Sequence, residues 1–356
     1  MRGSTVRAGW ALMLTAAVFA RPSRADTDDA VAAFKAGRYL EAAAEIQSVV
    51  DRTPGYSYGY FLLGHCLLKM QRTTEAELQF RRALSLDPQR AEYYQGLVLA
   101  LNASGKWPVT IGVATQGLAH AQDGRMRQAL LALRGYAWGG LRRWDLASQD
   151  LEEARRIHSE PWLLVLLGKA RFESEEWAAA IPPLRQALQT APDDPVVLRI
   201  LAESFLRLAA DEDDAVRKRF DYLQAVGYAL RLTSVVPNDL DSLHLVGRAA
   251  LGAGRLDQAE NVFRHVLSIN PRQCYALANL GRTYMAAARW AEAEAYLRQA
   301  SACAPRMTAV YESLGDLYLK VGKPQEAAAA FRRVEEIEPT HEGGEAREAI
   351  RVFDPR

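Results

Sequence analysis

Between residues 274 and 307 the large side chains Leu277, Leu280, Tyr284 and Leu297 are interleaved with small ones at Gly281, Ala293 and Ala300, and Pro305 follows. Spacings of three and four residues place such positions on one face of an α-helix. The stretch predicts two helices, the second ended by a proline that cannot continue it. The same pattern returns at a fixed interval. Pro237, Pro271, Pro305 and Pro339 are each 34 apart, as are Pro54 and Pro88. Ala225, Ala259, Ala293 and Ala327 keep that interval, as do Ala42 and Ala76, and Gly247, Gly281 and Gly315 keep it again. Three residue types sharing one period point to a repeated structural unit.

The unit resembles the tetratricopeptide repeat (TPR), with a small residue at position 8, large ones at 11 and 24, Ala at 20 and 27, and Pro at 32. Residues 274–307 and 308–341 match closely, the latter through Tyr311, Leu314, Gly315, Tyr318, Ala327, Phe331 and Pro339. Residues 57–90 (Gly64, Ala76, Phe80, Ala83, Pro88), 161–194 (Gly168, Ala180, Leu184, Ala187, Pro192) and 240–273 (Gly247, Ala259, Phe263, Pro271) also match. Residues 26–56 read as a first repeat with a shortened start, and 91–127 and 128–160 as divergent repeats. The resemblance implies an all-α fold: a superhelical α-α solenoid of about nine helical hairpins over 26–341, with a C-terminal capping helix and tail in 342–356. One hairpin cannot bury its apolar stripe alone, so hairpins stack, and small residues stand where helix backbones approach most closely.

From Pro192 to Pro237 the interval is 45 residues, one period plus 11, which places an insertion near 209–219 (AADEDDAVRKR). Eleven residues are close to three helical turns. The insertion therefore fits a second helix running from near Asp214 to about Val236, or else a longer solvated loop around Asp211–Asp214.

The N-terminus departs from the pattern. Arg2 and Arg7 precede a 13-residue uncharged run, Ala8–Ala20, and Ser23 and Ala25 occupy the −3 and −1 positions of a cleavage site. This reads as a signal peptide over 1–25, with an uncleaved membrane anchor as the alternative. The expected setting is export, to the periplasm of a Gram-negative bacterium, or else secretion or anchoring at the membrane. No later segment approaches a transmembrane length, so no integral membrane segment is expected in the mature chain.

The 356 residues carry 44 Lys+Arg against 43 Asp+Glu, a balance that argues against an electrostatic grip on nucleic acid. Candidate chemistry is thin. The six His contain no pair three or four apart, so no helical metal site is expected, and no cofactor motif or nucleophile elbow appears. Trp107, Trp144, Trp177 and Trp290 all fall at position 17, as packing residues opening the second helix, and Trp138 falls at a core position. Trp162, at position 2, reads as facing ligand. Carboxylates interspersed with Arg read as solvated outer faces. Cys274 and Cys303, at positions 1 and 30 of one unit, lie on the same edge of a hairpin and are either a disulfide or two separate thiols.

The resemblance also implies where function resides. In TPR proteins positions 2, 5, 9, 12 and 13 of the first helix line a concave surface that binds an extended peptide or a partner helix. By position these are Tyr58, Phe61, His65 and Lys69; Trp162, Lys169 and Glu173; Arg199, Glu203 and Arg207; His244 and Arg248; Tyr275 and Arg282; and Glu312, Asp316 and Lys320. Aromatic residues and Arg are the types that anchor interfaces. The clamp by which some TPR co-chaperones hold a terminal carboxylate is absent, because Asn279 at position 6 lacks its required neighbours. Two functions fit: a non-enzymatic scaffold for a protein partner in a cell-envelope assembly or secretion machine, or a glycan-binding module of an export apparatus. The repeats leave no room for a catalytic domain.

Overall fold

The computed structural model describes residues 27–338. The expected signal peptide and the C-terminal helix over 342–356 lie outside them. The described residues form eighteen helices and no strand. The chain parts between Pro192 and Asp193 into two compact units.

The first unit holds five helical hairpins: α1 (Asp28–Lys35) with α2 (Tyr39–Arg52), α3 (Ser57–Lys69) with α4 (Thr73–Leu86), α5 (Ala91–Ala103) with α6 (Trp107–His120), α7 (Gly124–Gly140) with α8 (Trp144–Ile157), and α9 (Pro161–Glu173) with α10 (Trp177–Ala187). The second holds four: α11 (Pro195–Asp211) with α12 (Ala215–Val235), α13 (Leu240–Gly252) with α14 (Leu256–Ile269), α15 (Cys274–Ala286) with α16 (Trp290–Cys303), and α17 (Thr308–Lys320) with α18 (Pro324–Ile337). Within each unit a second helix packs on its own first helix and on the first helix of the next hairpin.

Repetition in sequence becomes repetition in packing. Ala42, Ala76, Ala180, Ala225, Ala259, Ala293 and Ala327, all at position 20, are fully buried. The small residue at position 8 exists because the large one at position 24 lies on it. A Cβ on Gly247 would come within 2.6 Å of the Phe263 ring, and one on Gly315 within 2.4 Å of Phe331. The divergent hairpin α5/α6 makes the exchange in reverse. Val98 stands at position 8 and Ala114 at position 24, both fully buried in one cluster, so total volume is kept while large and small trade places. Position 20 there is Thr110, equally buried, whose hydroxyl donates to the Lys106 carbonyl at 3.0 Å.

Local departures from helical rules have identifiable compensations. Pro183 lies inside α10 and cannot donate to the Ala179 carbonyl one turn back. Arg171 on α9 supplies the missing donor, with Nη1 3.1 Å from that oxygen. The insertion takes the helical form. α11 continues to Asp211, and α12 starts at Ala215 with Asp214 capping it, its Oδ1 accepting from the Arg217 amide at 2.7 Å.

Some carboxylates do more than coat a surface. Glu260 on α14 accepts from the Tyr284 hydroxyl (2.9 Å) on α15 and from Arg289 (3.0 Å), while Arg264 donates to the same hydroxyl at 2.8 Å. One period later Glu294 takes Tyr318 (3.2 Å) and Lys323 (3.4 Å), with Arg298 on that hydroxyl. In the first unit Glu77 takes Arg81 and Lys106. Each glutamate thus ties one hairpin to the next. Cys274 and Cys303 are bonded, with Cα atoms 5.5 Å apart, joining the start of α15 to the end of α16.

Candidate functional site

The first helices of the two units present the expected inner positions very differently. In the first unit much of that face is closed by packing. His65 is only 3% exposed, seated edge-on between the rings of Phe61 (4.5 Å) and Phe80 (5.1 Å). Neither of its ring nitrogens has a hydrogen-bond partner, and burial, with the Lys69 charge behind it, pushes its pKa down to about 3. His65 is a neutral packing residue, not a surface contact, which corrects the expectation from its position. Phe61 is buried too, and Tyr58 is half-buried against the same cluster. Lys69 is half-buried, and burial lowers its pKa. Trp162 likewise packs on the core formed by Leu131, Leu151 and Leu163 and is only partly accessible, so it does not form the open stacking platform that position 2 suggests. Lys169 is exposed.

The second unit has the more accessible set. Arg199 is half-buried and held by Asp239 at 3.0 Å, with Ser242 beside it, so it orders the junction of α11 and α13. Arg248 and Arg282 are exposed, and so is Tyr275, at 62%. Glu203 and Glu312 are half-buried and Asp316 is exposed. His244 on α13 meets Asn279 on α15, whose Nδ2 is 3.1 Å from Nε2, and its ring stands edge-on to Tyr275 at 6.2 Å. Burial, then the charge of Arg248, lowers the His244 pKa against the pull of Asp241. The neutral imidazole leaves Nε2 as an acceptor for the amide. Asn279 is itself buried and holds the His244 ring from beneath this face, with no role as a clamp residue, while Arg207 on α11 is exposed and close enough to act on Arg248. Position 6 is the only sequence signal that places Asn279 near the groove.

Next to Tyr275 the surface dips into a cavity of roughly 380 Å³, lined by Tyr275, Cys274, Ala304, Pro305, Arg306 and Met307. Among the described residues no group of His, Cys, Asp and Glu is placed to hold a metal ion, and no helix is long and apolar enough to cross a membrane.

Tetratricopeptide-repeat family models match residues 33–101, 250–315 and 308–341. The chain carries tetratricopeptide repeats over these residues. As a TPR protein it has the fold of a protein-protein interaction scaffold, a fold that is generally non-enzymatic. No curated protein matches it. Solved structures similar to this TPR chain include that of Pseudomonas aeruginosa pilF, at 20% identity and a TM-score of 0.47, over 62% of this chain and 94% of that one. Another is MamA, at 16% identity and a TM-score of 0.40, over 49% of this chain and 95% of that one. A tetratricopeptide repeat protein from Parabacteroides merdae is a third, at 13% identity and a TM-score of 0.39, over 83% of this chain and 98% of that one.

Proposed function

We propose that the protein is an exported, non-enzymatic adaptor that holds a peptide or partner helix on the first-helix face of its second unit, within a cell-envelope assembly or secretion machine. The observation that carries this reading is the accessible set Tyr275, Arg248 and Arg282 on a rigid helical frame. Aromatic and guanidinium groups are the usual energetic centres of protein interfaces. Export rests on the N-terminal charge, apolar run and small-residue cleavage positions. The glycan alternative calls for Trp162 and Tyr275 both lying flat and exposed; Tyr275 is exposed, but Trp162 is partly buried against the core of its own unit, so the pair is not provided.

Site-specific photo-crosslinking in cells tests the reading. A crosslinker at Arg248 or Arg282 should yield one discrete adduct with another protein, and one at Arg156 on α8 should not. Adducts from both places, or from neither, contradict it. Terminal sequencing of the mature chain should find Asp26 first, and an intact Met1 would overturn the expected cleavage.

A further inference from the structure

The chemistry of the second unit's face narrows what it holds. Tyr275 and Arg282 are seven residues apart on α15, two turns, and so share a side. His244 and Arg248, four apart on α13, share another. The His244–Asn279 hydrogen bond and the edge-on contact of His244 with Tyr275 bring these sides together. Positive charge accumulates there. Burial depresses the pKa of Arg248, and Arg207 and Arg282 push it further down; Glu203 and Tyr222 offset only part of this. Among the described residues no salt bridge reaches Arg248 or Arg282, and Glu203 is the carboxylate that acts on Arg248. A guanidinium crowded by like charge in this way gains most from an anion that can accept two hydrogen bonds at once. At the far end of α15 the cavity beside Tyr275 is floored by Ala304, Pro305 and Met307, a lining suited to an apolar side chain.

We infer that this face takes an acidic peptide segment, with a carboxylate bridging Arg248 and Arg282 and a neighbouring apolar side chain lodged beside Tyr275 over Met307. The inference rests on the scaffold reading and specifies its ligand. The buried Asn279 fixes the His244 ring between the two helices, so the face that the peptide meets is held in place.

The test pans the full chain against a random short-peptide display library. A selected peptide, labelled with a fluorophore, is then measured by anisotropy. Selected peptides should be enriched in Asp or Glu close to an aliphatic or aromatic residue. Arg282→Gln should weaken the labelled peptide about tenfold or more, the pair Arg248→Gln with Arg282→Gln further, and Arg156→Gln not at all. Panning the Arg248→Glu, Arg282→Glu variant should shift the enrichment to Lys and Arg, with thermal melts confirming that each variant folds. Peptides without acidic preference, or acidic peptides indifferent to both arginines, would overturn the inference while leaving the scaffold reading to the crosslinking result. Failure to select any peptide would overturn both. A uronic-acid oligosaccharide bound more tightly than the best peptide would overturn the assignment to a peptide.

Discussion

His65 shows how far position in a repeat can mislead. Its place in the frame puts it on the inner face, yet Phe61 and Phe80 enclose it and leave two nitrogens without partners. That enclosure depends on aromatic residues at other positions of the same hairpin, which the period alone does not reveal. Its cost is testable. With a folded pKa of about 3 and an ordinary value near 6.5, the unfolded chain takes the proton first. Stability from the neutral ring is therefore complete above about pH 6.5 and drains away as pH falls toward 3. His65→Leu should raise stability at neutral pH by about 1–2 kcal/mol, by removing two unpaired buried nitrogens. It should also flatten the decline between pH 6.5 and 3. Chemical denaturation at several pH values reads both, and a variant less stable at neutral pH would contradict the account. Ala288 offers a second residue-scale test. It holds φ +55° at the turn where Gly254 and Gly322 hold +74° and +73°. Ala288→Gly should stabilise by about 0.5–1 kcal/mol in a denaturant melt, since glycine adopts this conformation without steric cost.

Between elements, the contact of position 8 with position 24 sets the spacing within each hairpin. The regular repeats were legible because this contact recurs with one chemistry, glycine against a large side chain. The α5/α6 hairpin was not, because Val98 and Ala114 keep the volume while exchanging its owners. Ala114→Leu should destabilise by about 2–3 kcal/mol through overpacking. Combining it with Val98→Gly should recover about 1–2 kcal/mol relative to the sum of the single changes, as read by a double-mutant cycle. Additive effects would show that the two sites do not share space. The glutamate links were invisible for a different reason. Glu260 and Glu294 look like any solvated carboxylate until the tyrosine of the following repeat is placed against them.

The molecule is read most securely in its architecture. The first unit stacks five hairpins and the second four, and one sequence period shows through all but the divergent ones because every hairpin must bury the same stripe on its neighbour. Binding chemistry was less legible, since exposure at an inner position depends on the local neighbours of each helix. The disulfide belongs to this scale. It closes a 29-residue separation within one hairpin and should stabilise the second unit by about 3–4 kcal/mol. Reduction should lower the melting transition of that unit and leave amide exchange in α1–α10 unchanged; slowed or unaltered exchange in α15 and α16 would contradict this. The most direct test of the central claim is hydrogen exchange of the full chain with and without a saturating selected peptide. Protection should rise in α13 and α15, and in α11 beside Arg207, while α14 and α16 stay unchanged. Protection confined to α14 and α16, or absent from the second unit altogether, would show that this face is not where the protein binds.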